Sequence, residues 1–233
     1  MKGIQKLTYS QQIREYIKEC ILNGEYTPGD KVNEVDIAGR LNVSRAPVRE
    51  ALQHLAEAGL LVSVPQKGKF ITSLTARQIY DSYMTGGILE GAAVASTIHL
   101  FTETDFEGME KLVREMAASA KAPNGIHIIA ELDNAFHEHM FSKSDNKLLR
   151  SLSRRCCQGL SKFLLYQYWT KAFVPEEIHG RHQFVLDAVR SRDPGRIEQA
   201  VRTHYLESGR RMARYGSDVT PLRDNEAFPA HAD

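Results

Sequence analysis

The sequence predicts a mainly α protein: an N-terminal winged helix-turn-helix followed by an all-α helical bundle. Two observations carry this expectation. Within residues 8–73, three helical apolar stripes precede two short β-prone runs around a Pro/Gly turn, the element order of a winged helix-turn-helix. From Thr75 onward strand-like alternation disappears, and helical stretches follow one another with capping residues between them. The length of 233 residues fits one or two domains. The texture places the divisions at 1–74, 75–215 and a polar tail at 216–233.

Residues 8–23 carry Ile13, Ile17 and Ile21 at helical spacing. Gly24 and the "TPGD" of 27–30 stop that helix. Asn33 can cap a short helix running to about Leu41, with Asp36 three residues on. Asn42 and Val43 turn the chain. Ser44 then caps a third helix, its hydroxyl available to a first-turn amide. Pro47 is tolerated there because first-turn amides have no intrahelical acceptor. Val48, Leu52 and Leu55 form the buried stripe, and Gly59 follows the end of the helix. "LLVSV" (60–64), the turn "PQKG" and "KFIT" (69–72) read as a hairpin. Beyond it, helices are expected at about 75–100, 104–120, 126–142, 147–169, 176–191 and 195–215. Thr102 or Thr104 caps the second of these. "DPG" at 193–195 offers a cap followed by proline at the first helical position.

The formal net charge is +1 and the apolar share 42%, so no basic coat covers the chain. A local basic face is still compatible with those totals. The start carries no apolar core after its lysines, and no stretch approaches the roughly 18 apolar residues of a membrane span. A cytoplasmic protein with no membrane partner is expected. Cys20, Cys156 and Cys157 form no disulfide framework or zinc-knuckle spacing and read as free thiols.

Arg45 and Arg49 stand at i and i+4, opposite the stripe of Val48, Leu52 and Leu55. They lie at the start of the second helix of the helix-turn-helix, the end that enters a major groove. Arginine there can fork onto guanine O6 and N7. Ser44 and the first-turn amides can meet a phosphate. Lys67, Gly68 and Lys69 sit at the hairpin tip, where a wing reaches the backbone or minor groove. A solvated helix face would also explain two arginines. Cap, arginine pair, buried stripe and basic wing in this order favour double-stranded DNA.

The stretch "KVNEVDIAGRLNVSRAPVREALQHLAEAGLLVSVPQKGKFIT" resembles the N-terminal domain of the GntR family of bacterial transcription regulators, over residues 8–73. That resemblance implies that Ser44, Arg45, Arg49, Lys67 and Gly68 contact DNA. It also implies a homodimer on a pseudo-palindromic operator.

In the bundle, Asp133 and His137 stand at i and i+4, and His182 and His204 lie on later helices. One carboxylate and three imidazoles suit a divalent transition metal such as Zn²⁺, Ni²⁺ or Mn²⁺. Spacing alone leaves two readings open, a metal site or satisfied and exposed histidines. "DNAFH", "HQFVLDAV" and "RIEQAVRTHYL" resemble the FCD effector domain of the FadR subgroup, over about 75–215. Many of its members hold a metal on a similar set, and the resemblance implies Asp133, His137, His182 and His204 as ligands. His139 and His179 are off that register, and His127 matches no family position. One departure concerns the effector. Such proteins often carry, about four residues before the glutamate of "LEG", an arginine that grips an effector carboxylate. Here Gly86 stands at that place, in "SYMTGGILEG". Gly86 then widens an effector pocket or, with Gly87, permits a close helix–helix approach.

The implied function is a ligand-responsive repressor answering a small organic acid or another small effector. One alternative makes the metal itself the signal. A remote alternative is a metal-dependent hydrolase, but Glu138 points about 100° from His137 on a helix, no nucleophile motif is present, and residues 8–73 would be idle.

Overall fold

Capping chemistry sets where the helices begin. In α1 (Tyr9–Leu22), Thr8 and Gln11 exchange backbone-to-side-chain bonds in a capping box. In α2 (Glu34–Leu41), the Asn33 side chain accepts from the Val35 amide at 2.9 Å and acts without Asp36. α3 (Arg45–Glu57) starts at Ser44, but the Ser44 side chain makes no cap hydrogen bond, contrary to expectation. This serine is exposed, so solvent competes for its hydroxyl. The computed structural model describes residues 7–153, 155–156 and 162–219. Cys157, part of the helix expected at 147–169, and the tail from residue 220 lie outside the described residues.

The hairpin is β2 (Leu61–Val64) and β3 (Gly68–Ile71), antiparallel with Leu61 opposite Ile71 and Val64 opposite Gly68. Gly68 has a φ of 109°, a conformation that side chains strongly disfavour, and so turns the wing tip. A strand that the sequence did not announce, β1 (Lys31–Val32), pairs with β3 and gives the order β1-β3-β2. Two residues are too few for an alternation to be legible. Ile13, Ile17, Ile21, Val48, Leu52 and Leu55 are all buried and pack α1 against α3.

The bundle comprises α4 (Ala76–Thr97), α5 (Glu103–Ser119), α6 (Gly125–Met140), α7 (Lys147–Ser153), α8 (Lys162–Leu164), α9 (Tyr166–Ala172), α10 (Pro175–Arg190) and α11 (Pro194–Met212). Thr102 and Asp105 box the start of α5, and Asp193 caps α11 ahead of Pro194. The single helix expected over 147–169 is interrupted, among the described residues, between α8 and α9. Leu165, at φ −105° and ψ 17°, leaves helical geometry there. Its carbonyl accepts from the Tyr168 and Trp169 amides and so restarts the helix.

α4 and α11 pack against each other, with glycines at points of close approach. A Cβ built on Gly87 would stand 2.7 Å from Tyr205 Cβ, and one on Gly209 would stand 2.8 Å from Tyr83 Cβ. Close approach therefore explains Gly87. The first tail residues are held, not loose: the Ser217 amide donates to the Leu74 carbonyl at 2.9 Å, and Asp218 Oδ1 accepts from the Ala76 amide at 2.6 Å. No helix among the described residues is long and apolar enough to cross a membrane.

Candidate functional site

At the N-terminal end, α2 and α3 present one polar cluster. Arg45 Nε donates to Glu34 Oε1 at 2.9 Å, and Arg49 donates to the same carboxylate through NH2 at 2.9 Å and Nε at 3.3 Å. Both arginine side chains stay mostly exposed, while Glu34 is largely covered. The hydrogen bond from Arg49 is the main cause holding the Glu34 carboxyl below its usual range. One acid thus aligns two guanidinium groups on the exposed face of α3. Sequence reasoning missed Glu34, although an acid at the first position of α2, facing the start of α3, is the available signal. Lys67 and Gly68 are exposed at the wing tip. Lys69 is tied back, donating to Gln53 Oε1 at 3.2 Å and Ser63 Oγ at 3.1 Å. The wing and the helix start therefore offer cationic and backbone donors.

In the bundle, Asp133 and His137 come from α6, His182 from α10 and His204 from α11. All four are buried, and one ligand-type atom from each lies within 4.8 Å of the others. His182 Nδ1 lies 2.8 Å from the Ile178 carbonyl. That carbonyl can only accept, so the proton sits on Nδ1 and the Nε2 lone pair faces inward. His182 Nε2 stands 3.0 Å from Asp133 Oδ1, within ion-pair range but without an aligned hydrogen bond. His204 Nδ1 is likewise buried without a hydrogen-bond partner. His137 Nδ1 lies 2.5 Å from Glu90 Oε1, and its Nε2 faces Asp133 Oδ1 at 4.0 Å. Tyr205 donates to the other Glu90 oxygen at 2.7 Å. Imidazoles oriented from behind by a carbonyl and a carboxylate, with unpartnered nitrogens in front, are the donor set that a divalent ion needs.

The electrostatics follow from burial. Burial and the neighbouring imidazoles hold the His204 pKa well below the ordinary histidine value. Burial also disfavours charge on His137, but the Glu90 carboxylate outweighs it and raises that pKa. Asp133 is buried, which favours its neutral form, yet the Lys162 ammonium and the imidazoles keep its carboxyl well below the usual range. Lys162 Nζ donates to Asp133 Oδ2 and, at 2.8 Å, to Asn134 Oδ1.

Neither Glu90 nor Lys162 was identified from the sequence. Glu90 interrupts the buried series Ile79, Tyr83, Gly87 and Val94 on α4, which is a readable anomaly. Lys162 carries no such signal, because its position depends on the break at Leu165. Gly86 is buried in α4, one turn after Tyr83. His139 and His179 stay outside the cluster, and His127 pairs with Tyr166 instead, at 2.8 Å.

Residues 9–71 match the family described as "Bacterial regulatory proteins, gntR family", and residues 81–207 match the FCD domain. The chain is 29% identical over 197 residues to the HTH-type transcriptional regulator YdhC of Bacillus subtilis (strain 168), covering 84% of this chain and 88% of that protein. It is 25% identical over 198 residues to the HTH-type transcriptional repressor RspR of Escherichia coli (strain K12), covering 85% and 86%. Among solved structures, a GntR regulator from Rhodococcus sp. RHA1 superposes with a TM-score of 0.66 at 22% identity, covering 87% of this chain and 96% of that one. E. coli McbR/YncC gives a TM-score of 0.65 at 20% identity over the same shares. These relatives regulate transcription and are not enzymes, which removes the hydrolase alternative. The chain belongs to the gntR family of bacterial transcription regulators, with an FCD effector domain behind its DNA-binding domain.

Proposed function

We propose that this regulator is a repressor that binds a pseudo-palindromic operator as a homodimer. Residues 1–74 hold the DNA, residues 75–215 bind a small-molecule effector and pair the protomers, and the effector pocket contains a divalent transition metal. Ser44, Arg45 and Arg49 meet the major groove, and Lys67 and Gly68 meet the backbone. The observation that carries the effector half is the convergence of Asp133, His137, His182 and His204, with inward nitrogens that lack partners. When bound there, Zn²⁺, Ni²⁺ or Mn²⁺ supplies an electrophilic site for effector oxygens. Glu90 and the Ile178 carbonyl fix the ring orientations that hold it. The repressor mode is supported by the similarity to RspR of Escherichia coli, a transcriptional repressor.

A second reading, in which the metal is the signal, is favoured by the size of the cavity beside the cluster. Its volume of about 20 Å³ admits an ion or a water but no organic acid. Native mass spectrometry with elemental analysis tests the metal and the dimer together. One metal per protomer and a dimer mass are expected for the wild type, with the metal lost in His204→Ala. A monomer, or a metal-free wild type refractory to added Zn²⁺, Ni²⁺ and Mn²⁺, would refute the corresponding part. Operator binding with metal alone, against metal plus an organic acid, separates the two readings.

A further inference from the structure

A cleft of about 860 Å³ opens between the DNA-binding domain and the bundle. Lys18 of α1, Glu57 at the end of α3 and Leu60 line one side, and Lys147 and Arg150 of α7, then Arg155, and Phe163 of α8 line the other. The cleft is far larger than the cavity of about 20 Å³ at the Asp/His cluster and shares no described lining residue with it. Four of its described lining residues are cations, and Glu57 is the one acid. Lys18 pairs with Glu15 at 2.9 Å and Arg150 with Glu138 at 3.5 Å, partly exposed pairs of the kind that contribute little and yield to a stronger anion. Glu57 lies 3.4 Å from His54 on its own helix. Like charges gathered from two domains repel one another, and an anion between them removes that cost.

We propose that this cleft binds a phosphorylated small molecule, a nucleotide or another ring-bearing phosphate ester, between the two domains. The proposal stands apart from the metal reading. A surplus of three positive charges exceeds what one carboxylate balances and suits phosphate, which carries about −1.5 to −2 per monoester group near neutral pH. Arg150 and Arg155 offer the parallel N–H donors that match phosphate oxygens. Buried Leu60 and half-buried Phe163 supply an apolar wall for a ring, one from each domain. The volume lies within the range of about 300–1,000 Å³ typical of small-molecule sites. DNA is the other source of phosphate. Arg45 begins α3 and Glu57 ends it, about 18 Å apart along the axis, so the cleft lies away from the groups proposed to meet the operator.

The test is calorimetric titration of the full chain, in metal-free buffer at fixed ionic strength, with ADP, with pyrophosphate and with adenosine. ADP should bind most tightly, pyrophosphate more weakly, and adenosine not measurably. The double change Lys147→Gln with Arg150→Gln, on the bundle side, and Lys18→Gln, on the other, should each weaken ADP binding roughly tenfold or more. Lys111→Gln, on α5 and outside the cleft, should leave it unchanged. Absence of both ADP and pyrophosphate binding at millimolar concentration overturns the proposal. So does an equal loss in Lys111→Gln, which reduces the effect to net charge. Adenosine as tight as ADP overturns the phosphate assignment, and pyrophosphate as tight as ADP overturns the ring contact. If the cleft variants lose non-specific DNA affinity with a flatter salt dependence, and the wild type takes up no ADP, the phosphates are those of DNA and the small-molecule site is wrong. Should the double variant not fold, Lys18→Gln alone carries the same expectation.

Discussion

At the scale of single residues, both sites are organised by a buried or half-buried acid behind the groups that face the ligand. Glu34 accepts from both Arg45 and Arg49, so the two guanidinium groups proposed to meet DNA are oriented before binding. Arg49→Ala should cost about 1–3 kcal/mol of specific operator binding and relax base preference at one position of each half-site, which footprinting on variant operators reads out. Glu34→Gln should act differently. It removes a negative charge near phosphates and loosens both arginines, so non-specific affinity should rise while the specific-to-non-specific ratio falls; anisotropy titrations at fixed salt check this. In the bundle, Glu90 is fully buried and engaged by His137 and Tyr205. Glu90→Gln should preserve the shape but weaken the carboxylate acceptor behind His137, lowering metal affinity roughly 10–100-fold in a competition titration against a chromophoric chelator. An unchanged affinity would mean that His137 needs no orienting partner.

At the scale of elements, helix starts and helix contacts can be tested separately. Asp105 boxes α5 through the Thr102 amide and hydroxyl, each at 2.7 Å, and pairs with Lys143 at 2.9 Å. Burial alone would raise its pKa, but those donors outweigh burial and lower it to about 2. Because the folded value lies below the unfolded one, near 3.8, the contribution is complete above about pH 4 and is lost as pH falls toward 2. Asp105→Ala should therefore cost about 1–2 kcal/mol at neutral pH, with the difference from wild type shrinking in urea titrations between about pH 4 and pH 2. The α4–α11 contact responds to volume. Gly87→Ala forces a methyl against Tyr205 and should cost about 1–3 kcal/mol. For the neighbouring Gly86, buried on α4, two readings stand open, a border of the effector pocket and close helix packing. If it borders a pocket, Gly86→Arg folds normally and gains affinity for small dicarboxylates in a thermal-shift screen. Severe destabilisation by that change would assign Gly86 to packing as well.

At the scale of the whole molecule, a near-neutral chain exposes Arg45 and Arg49 on α3 and Lys67 on the wing, the cations proposed to meet DNA. Lys67→Ala should weaken specific and non-specific DNA binding alike and reduce the salt slope by about one. The organisation behind this was largely legible in one dimension. Helix stripes such as Ile13, Ile17 and Ile21 follow from a period of 3.6, caps such as Thr102 and Asp193 from the unpaired amides of a first turn, and the hairpin from its Pro/Gly turn. These are local rules, so the sequence by itself determined the order of elements, the winged helix-turn-helix and the helical bundle, whereas the set Asp133, His137, His182 and His204 was singled out by the resemblance to the FCD domain. Local rules say nothing about which elements approach, or how closely. Only the tertiary structure paired β1 with β3, broke the helix at Leu165 so that Lys162 reaches Asp133, and set Glu90 behind His137 across 47 residues of chain. Those contacts depend on burial, where a charge must find a partner wherever the packing happens to supply one, and packing is a property of the assembled chain.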